Sequence, residues 1–277
     1  MNKRYGVIDL GTNTFHILIV EATDNGLREV HRESRFIKLG EEGIETIGEA
    51  PFQRGLATLI DYKQALEAHN IEDAVALGTA ALRTASNGRQ FVEQVRAITG
   101  IEPRLISGQE EARLIHNGVR HAVPLTNETS LIMDIGGGSV EFIIANREGI
   151  LWAESFPVGV AVLFREFHRH DPISSVDIEA IHRHLGQVLK PLHKELQQHK
   201  IKNLIGASGT FDVLEAVLVK DKEHPHYANL DAALFYPYYE RIIATTFAER
   251  LQMTDLPATR ADMIVVALVL IRHILEA

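Results

Sequence analysis

The amino-acid sequence predicts an α/β fold built from two similar domains, and three observations support this prediction. Short apolar segments alternate with amphipathic stretches along the 277 residues, which is typical of α/β proteins. An apolar strand, a tight turn and a second strand occur near the amino terminus and again after Pro124. Helical segments follow both copies. We therefore expect two similar domains whose turns meet at a cleft between them, a usual place for a ligand.

The first half is predicted to begin with a three-stranded meander and to continue with alternating helices and strands. Pro51 opens a helix to about Ala68, because proline is favoured in the first turn and the following apolar residues share one face. The predicted strands are Tyr5–Leu10, Phe15–Ala22, Leu27–Leu39, Ala74–Leu77 and Glu102–Ile106, and the other helices are Gly88–Thr99 and Glu110–Val119.

The second half repeats the meander and is richer in helix. A polar stretch, Asp221–Leu230, is predicted to be a loop. The predicted strands are Leu131–Ile135, Val140–Ala145, Leu151–Phe156 and Asn203–Ile205, and the helices are Ser175–His199, one after Thr210, Tyr239–Arg250 and Ala261–Glu276.

The composition excludes several classes of protein. The absence of cysteine excludes disulfides, thiolate zinc sites and a cysteine nucleophile, and it fits a cytoplasmic location. A formal charge of −9 without a basic run argues against nucleic-acid binding. Asp9 and His16 interrupt the first apolar segment, so a signal peptide is not expected. The apolar run Met263–Ile271 is shorter than the roughly 20 residues of a membrane-spanning helix, so no membrane association is expected.

The first turn, residues 11–14, follows Asp9-Leu10 and reads Gly-Thr-Asn-Thr. Gly11 allows a close approach of the backbone to a ligand, and successive amides in such a turn can bind an anion. The side chains of Thr12, Asn13 and Thr14 add hydrogen-bond donors. Because a carboxylate repels phosphate, the sensible role of Asp9 is to hold Mg²⁺. A plain β-turn with a solvated aspartate is the alternative.

The second turn, residues 136–139, follows Asp134-Ile135 and reads Gly-Gly-Gly-Ser. Each glycine lowers the stability of an ordered backbone by roughly 0.5–1 kcal/mol relative to alanine. Three glycines in succession therefore indicate that another group approaches the backbone closely at this turn. Ser139 and Glu141 share a face of the next strand, because side chains alternate along a strand. An acid is poor core material, so we expect Glu141 to point into the cleft. A long flexible hairpin is the alternative.

Three weaker signals lie elsewhere. Ser107-Gly-Gln-Glu-Glu111 lies at the start of a helix, where acidic residues often interact only with the helix dipole. This role explains Glu111, whereas the spacing does not decide between this role and a functional one for Glu110. Gly206-Ala-Ser-Gly-Thr210 suits phosphate or ribose contact at a helix start, or a simple cap. Arg83 could clamp phosphate oxygens or lie on the surface. The paired histidines, such as His182 and His184, are interpreted as surface residues rather than as a metal site.

Taken together, these segments resemble the exopolyphosphatase/guanosine pentaphosphate phosphohydrolase (Ppx/GppA) family. Other actin-like ATPases share the two phosphate turns but lack the Ser-Gly-x-Glu-Glu-Ala-Arg-Leu-Ile segment, which lies here at Ser107–Ile115. Val140 departs from the threonine that is usual in the family. The resemblance is to short members, which keep only two core domains. It covers, in register, Gly6–Leu18, Leu77–Asn87, Ile106–Gly118, Ile132–Ile143, Phe156–Phe167 and Ile205–Leu214.

The resemblance implies two ribonuclease-H-like domains of the actin-like ATPase superfold that flank an active-site cleft. The domains would cover residues 1–122 and 123–260, and the C-terminal helix, about 261–277, would pack back on the first domain. Glu110 is implied as the catalytic base, with Glu141 beside the attacking water and Asp9 and Asp134 as the carboxylates associated with Mg²⁺. The residues expected to bind substrate phosphate are Gly11, Thr12, Asn13, Thr14, Arg83, Gly136, Gly137, Gly138, Ser139, Gly206, Ser208 and Gly209.

The sequence therefore predicts a cytoplasmic exopolyphosphatase that releases terminal orthophosphate from inorganic polyphosphate by magnesium-assisted attack of water. Guanosine pentaphosphate (pppGpp), a nucleotide of the stringent response, is the alternative substrate. A homodimer is suggested by the resemblance only. Two other classes stay open: an acceptor-dependent kinase of the same superfold, and a nucleotide-switched binding protein that releases no phosphate.

Overall fold

The computed structural model describes residues 3–24, 26–71, 74–222 and 224–277. The chain divides into two compact units, Met1–Gly108 and Gln109–Ala277. Among the described residues, no helix combines the length and the apolar character that crossing a bilayer requires.

The first unit contains one five-stranded sheet and three helices. Its strands lie in the order β3-β2-β1-β4-β5; the first three are antiparallel, whereas β4 and β5 run parallel to β1. The elements are β1 (Arg4–Leu10), β2 (Thr14–Thr23), β3 (Gly26–Phe36), α1 (Glu49–Ala68), β4 (Ala74–Gly78), α2 (Ala80–Thr84), α3 (Gly88–Thr99) and β5 (Arg104–Leu105).

The core of the first unit lies on one face of this sheet. Along β1, buried Ile8 and Leu10 alternate with exposed residues, as expected for a strand with one face in the core. Phe15 on β2 packs edge-on against Phe91 of α3, at a ring-centroid distance of 6.2 Å. The hydroxyl of Tyr62 on α1 donates to the carbonyl of Phe15 at 2.9 Å, so both helices are anchored to the same strand.

The second unit contains a four-stranded sheet in the order β8-β7-β6-β9. The helix α4 begins at Gly108 and otherwise belongs to this unit. The elements are α4 (Gly108–Ala122), β6 (Thr129–Ile135), β7 (Val140–Asn146), β8 (Gly149–Phe156), α5 (Val160–Phe167), α6 (Ser175–Val188), α7 (Lys190–Gln198), β9 (Ile201–Ala207), α8 (Gly209–Leu218), α9 (Ala232–Ile243), α10 (Phe247–Arg250) and α11 (Ile264–Leu275).

Both faces of the second sheet are covered. Ile132 and Ile143 on one face pack with Ala112 and Val119 of α4. On the other face, Met133 and Phe142 belong to the large core that includes α5, α6, α8, α9 and α11. This explains why β6 and β7 are apolar almost throughout, whereas β1 alternates.

The two units share one topology, as the sequence predicts. In each, an antiparallel meander is extended by a parallel strand beside its first strand. Thus β1 to β4 correspond to β6 to β9.

The domain limits differ from those predicted. The second unit begins at residue 109 rather than 123, because α4 packs on the second sheet. The C-terminal helix, which the resemblance implied would pack on the first domain, belongs to the second unit. Ile264–Leu275 is apolar on every side, and it lies inside the core of the second unit against α5, α6 and α9.

Several elements also differ from the prediction. The predicted helix Ser175–His199 is two helices that meet at Leu189, and Pro191 lies in the first turn of the second. The short helices α2 and α5 were not predicted, and α9 begins at Ala232, earlier than expected. The described part of the predicted loop Asp221–Leu230 forms neither helix nor strand, and Glu223 lies outside the described residues.

Candidate functional site

The first turn joins β1 to β2 in a tight and specific geometry. Strand pairing ends at Leu10 and Phe15, and the amide of Gly11 donates to the carbonyl of Thr14 at 3.1 Å. A Cβ at Gly11 would lie 2.8 Å from that oxygen, so a larger residue would displace the turn. The hydroxyl of Thr12 is buried and accepts from the amide of Ala81 at 3.2 Å, which ties α2 to the turn.

The second turn repeats this geometry. Strand pairing ends at Ile135 and Val140, and the amide of Gly136 donates to the carbonyl of Ser139 at 3.0 Å. A Cβ at Gly136 would again lie 2.8 Å from the carbonyl oxygen. The predicted duplication therefore extends to the hydrogen bond that closes each turn.

In each unit, the carbonyls of the turn accept hydrogen bonds from backbone amides that follow the third strand. The bonds in the first unit are Ile37 to Asn13 at 2.8 Å, Lys38 to Asn13 at 3.0 Å and Leu39 to Thr12 at 2.7 Å. The bonds in the second unit are Gly159 to Gly138 at 3.3 Å, Val160 to Gly136 at 3.0 Å and Ala161 to Gly137 at 2.9 Å.

Glu141 is almost completely buried, with 1% of its surface exposed. Its Oε1 accepts hydrogen bonds from the hydroxyls of Ser139 at 2.7 Å and Ser155 at 2.6 Å. Such bonds are needed, because a buried carboxylate is costly unless its oxygens are satisfied. Glu141 lies opposite Asp134 in the strand register. The structure therefore brings Asp134, Ser139 and Glu141 together at one end of the second sheet.

Glu110 lies at the start of the helix α4, and Arg83 lies near the end of the helix α2. Glu110 is half-buried in the first turn of α4. Arg83 is exposed near the end of α2, and its Nη1 donates to the carbonyl of Ile106 at 2.6 Å. This bond fixes Arg83 to the strand that leads into Ser107–Glu111.

The segment Gly206–Thr210 joins β9 to α8, as predicted. Side chains at Gly206 and Gly209 would meet the Phe211 ring and the Arg260 guanidinium, so these neighbours would have to move. Burial lowers the pKa of Arg260 and raises the pKa of the neighbouring Asp212, although each charge opposes the shift of the other.

Ser208 has an uncommon backbone conformation for a residue other than glycine, with φ 77° and ψ 170°. Its hydroxyl donates to the carbonyl of Ile135 at 3.1 Å, directly before the second turn. Such conformations cost of order 1–3 kcal/mol and are frequent at functional sites. The geometry therefore favours Ser208 over its neighbouring glycines as a residue of the site.

The carboxylates Asp9 and Asp134 fit the donor chemistry of Mg²⁺. Each lies two residues before the glycine that opens a turn; Asp9 is exposed and Asp134 is half-buried. Mg²⁺ is usually bound by one or two carboxylates, several waters and substrate phosphates rather than by an all-protein cage. Within the described ranges, no group of three or more acidic, histidine or cysteine side chains suited to a metal occurs.

Sequence reasoning missed two residues that shape the second turn. Ser155 carries the second hydroxyl on Glu141, and the register pairs it with Glu141 across β7 and β8. Gly159 provides one of the amides on the turn. The pairing of Ser155 with Glu141 could be predicted from the register of the β7–β8 hairpin. The contact of Gly159 depends on the position of α5, and no residue in the nearby sequence predicts that position.

The comparisons with known proteins agree on one family. A sequence model of the Ppx/GppA phosphatase family matches residues 18–277. An exopolyphosphatase from Cytophaga hutchinsonii, solved by crystallography, is 38% identical; the alignment covers 99% of this chain and 90% of that one, with a TM-score of 0.94. A Ppx/GppA family member from Aquifex aeolicus is 22% identical over 100% of this chain and 90% of that one, with a TM-score of 0.79, which shows the shared fold.

These findings confirm the predicted α/β fold of the actin-like ATPase kind. They also confirm the resemblance inferred from the turns and from Ser107–Ile115. On the evidence of the family match and of the identity to a solved relative, this chain belongs to the Ppx/GppA phosphatase family.

Proposed function

We propose that this chain is an exopolyphosphatase that releases terminal orthophosphate from inorganic polyphosphate by attack of water on the terminal phosphorus. Membership of the Ppx/GppA family supports a phosphatase that acts on phosphoanhydride bonds. The Cytophaga hutchinsonii relative, 38% identical, is itself named an exopolyphosphatase.

The observation that carries the proposal is the duplicated turn. Each copy is preceded by an aspartate, closed by the same hydrogen bond and held through its carbonyls. Backbone amides in such turns bind the anionic oxygens themselves and do not recognise the rest of the ligand. A repeating polyanion needs this kind of recognition, because its internal phosphates are chemically alike.

In the proposed reaction, Glu110 accepts a proton from the attacking water and Glu141 orients that water. Arg83 and the turn amides bind phosphate oxygens and stabilise the charge that develops on the transferred group. Bound Mg²⁺, held by Asp9 and Asp134, would neutralise phosphate charge. Local donors are essential here, since the formal charge of −9 repels a polyanion over longer distances.

A cavity in the second unit favours pppGpp as the second candidate substrate. It has a volume of about 960 Å³ and is bordered by Asp134, Ser208, Phe211 and Tyr227. Cavities of roughly 300–1,000 Å³ accommodate small ligands. The Tyr227 ring stacks on His224 at a centroid distance of 4.4 Å, and it offers an aromatic surface on which a base could stack.

The deciding experiment measures phosphate release from polyphosphate, pppGpp and ATP in parallel, with and without Mg²⁺. We expect the highest kcat/KM with polyphosphate and no turnover after removal of Mg²⁺. A higher kcat/KM with pppGpp, together with a selective loss of that activity in Tyr227→Ala, would establish the second candidate. ATP consumption that requires an added acceptor would indicate a kinase, and binding without any phosphate release would indicate a switch protein.

A further inference from the structure

The second turn is rich in glycine, so its backbone needs an external constraint to present a fixed set of amides. A glycine backbone has more accessible conformations than any other, and ordering it costs the most entropy. Electrostatic stabilisation of a transition state works best when the donors are already oriented. The bonds that the turn accepts from Gly159, Val160 and Ala161 are the constraint that the structure provides.

The planarity of the peptide group links these bonds to the orientation of the amides. In a trans peptide, the N–H of one residue points opposite to the C=O of the residue before it. Fixing the carbonyls of Gly136, Gly137 and Gly138 therefore aims the amides of Gly137, Gly138 and Ser139 away from α5. Three consecutive N–H groups are thus directed to the same side of the turn.

Gly159 is the residue that allows α5 to come so close. Its backbone has φ −63° and ψ 162°, a conformation open to any residue, so backbone freedom is not the reason for glycine here. The reason is space. A Cβ at this position would lie 2.5 Å from the carbonyl carbon of Gly138 and closer still to the carbonyl group of Gly137.

The first unit reaches the same result with a different segment. The amides of Ile37, Lys38 and Leu39, which follow β3, take the place of the helix start. Lys38 has a φ of 53°, so this segment turns sharply where α5 begins in the second unit. Two unrelated local structures that hold equivalent carbonyls indicate that holding them matters to both turns.

We propose that Gly159 is a positioning residue for the phosphate-binding amides of the second turn. It acts through the turn and does not itself touch substrate. The inference rests on the proposed function, because it assigns Gly159 a role in that reaction.

The test compares Gly159→Ala with Gly186→Ala, a matched control in α6 where a Cβ meets no atom within 4 Å. Kinetics with polyphosphate and calorimetric binding of Mg²⁺-tripolyphosphate are measured for both variants. We expect Gly159→Ala to lower kcat by about 10²-fold, the loss typical of removing one oriented donor, with a smaller change in KM. We also expect it to weaken tripolyphosphate binding by about 10-fold. Gly186→Ala should match the wild type.

Folding is followed through the fluorescence of Trp152, the single tryptophan, which lies on β8 with its ring centroid 6.3 Å from that of Phe156. If Gly159→Ala does not fold, Val160→Pro replaces it. Proline is favoured at the first position of a helix, so α5 is kept, but the ring replaces the amide that donates to Gly136. We expect the same loss of kcat from this variant.

Wild-type activity in a folded Gly159→Ala or Val160→Pro variant would overturn the positioning role and leave the proposed function intact. If the wild type releases no phosphate from any substrate, the proposed function fails, and the binding measurement alone decides the inference. Equal tripolyphosphate affinity in the wild type and the variant would then overturn it.

Discussion

Glu141 shows how an acidic residue is accommodated in a buried position on a largely apolar strand. Two hydroxyls, from Ser139 and Ser155, donate to one of its oxygens, and the residue is almost completely buried. Ser139 could be anticipated from alternation along the strand, whereas Ser155 comes from the neighbouring strand. The second hydroxyl therefore ties the position of the carboxylate to the packing of β8.

We expect Ser155→Ala to lower the free energy of unfolding by about 1–3 kcal/mol, because a hydrogen bond to a charged, buried group is lost. Urea denaturation followed by Trp152 fluorescence measures this change. The control is Ser86→Ala, whose hydroxyl pairs with Thr46 on the surface and whose loss should cost less than about 0.5 kcal/mol. Equal changes in the free energy of unfolding would show that the Ser155 bond stabilises the protein no more than a hydrogen bond on the surface does.

The proposed base can be tested against its direct neighbour. Glu110→Gln should lower kcat by roughly 10²–10⁴-fold, the usual contribution of a general base, while binding of Mg²⁺-polyphosphate changes little. Glu111→Gln is the matched control, because it makes the same substitution in the same helical turn, where the loss of a negative charge at a helix start costs about 0.3–1 kcal/mol. Undiminished turnover in Glu110→Gln would remove Glu110 from the mechanism.

At the level of elements, three helices of the second unit meet at a histidine cluster. His182 of α6 and His273 of α11 approach at 3.0 Å between their Nδ1 atoms, and the ring of His193 of α7 lies 5.5 Å from that of His273. The sequence suggested a surface role for His182, and this was wrong, because its partner is distant in the chain.

This cluster should make the second unit sensitive to acid. Burial, with help from His182 and His193, lowers the pKa of His273 to about 4. Burial and Arg272 also lower the pKa of His182, whereas Glu276 raises the pKa of both. The unfolded chain, with histidine pKa values near 6.5, then binds more protons than the folded one between about pH 6.5 and 4. Stability is therefore full above that window and is lost as the pH falls through it.

We expect the Tm of the wild type to fall between pH 7.5 and 5.0, and His273→Leu to reduce that fall by several degrees. Scanning calorimetry at both pH values measures the difference. His121→Leu, at an exposed position on α4, serves as the control and should keep the wild-type slope. An unchanged slope in His273→Leu would mean that other groups dominate the acid response.

The success of sequence reasoning varied with how local the signal was. The meanders and their turns were predictable, because alternation marks β1 and β2, continuous apolar runs mark β6 and β7, and an aspartate and a glycine mark each turn. The helix α5 has only eight residues, and its start is defined by contacts with the second turn rather than by a capping residue. The helix α11 shows a related limit, because a helix that is apolar all round is expected to be buried but does not indicate which core receives it.

For the whole molecule, the duplication predicts that both units contribute to metal dependence. Asp9 and Asp134 occupy equivalent positions in the two meanders. Asp9→Asn and Asp134→Asn should each raise the Mg²⁺ concentration for half-maximal phosphate release by about 10-fold or more, since changes around a metal site commonly cost 10–100-fold in affinity.

Titration of Mg²⁺ at fixed polyphosphate measures this shift. Asp24→Asn, an exposed aspartate beyond the end of β2, is the control and should leave the titration curve unchanged. A shift in only one of the two variants would show that the symmetry of the fold does not extend to the metal.

The support of each turn through its carbonyls also bears on how such a protein can change. Thr-Asn-Thr and Gly-Gly-Ser occupy corresponding places, yet the main chain makes the same closing bond in both. When backbone amides bind a ligand, the side chains of the same residues can change during evolution without loss of binding. Mutational screens for altered substrate range should therefore recover changes at residues 37–39 and 159–161, whose amides hold the turns, more readily than changes in the turns that are proposed to bind substrate.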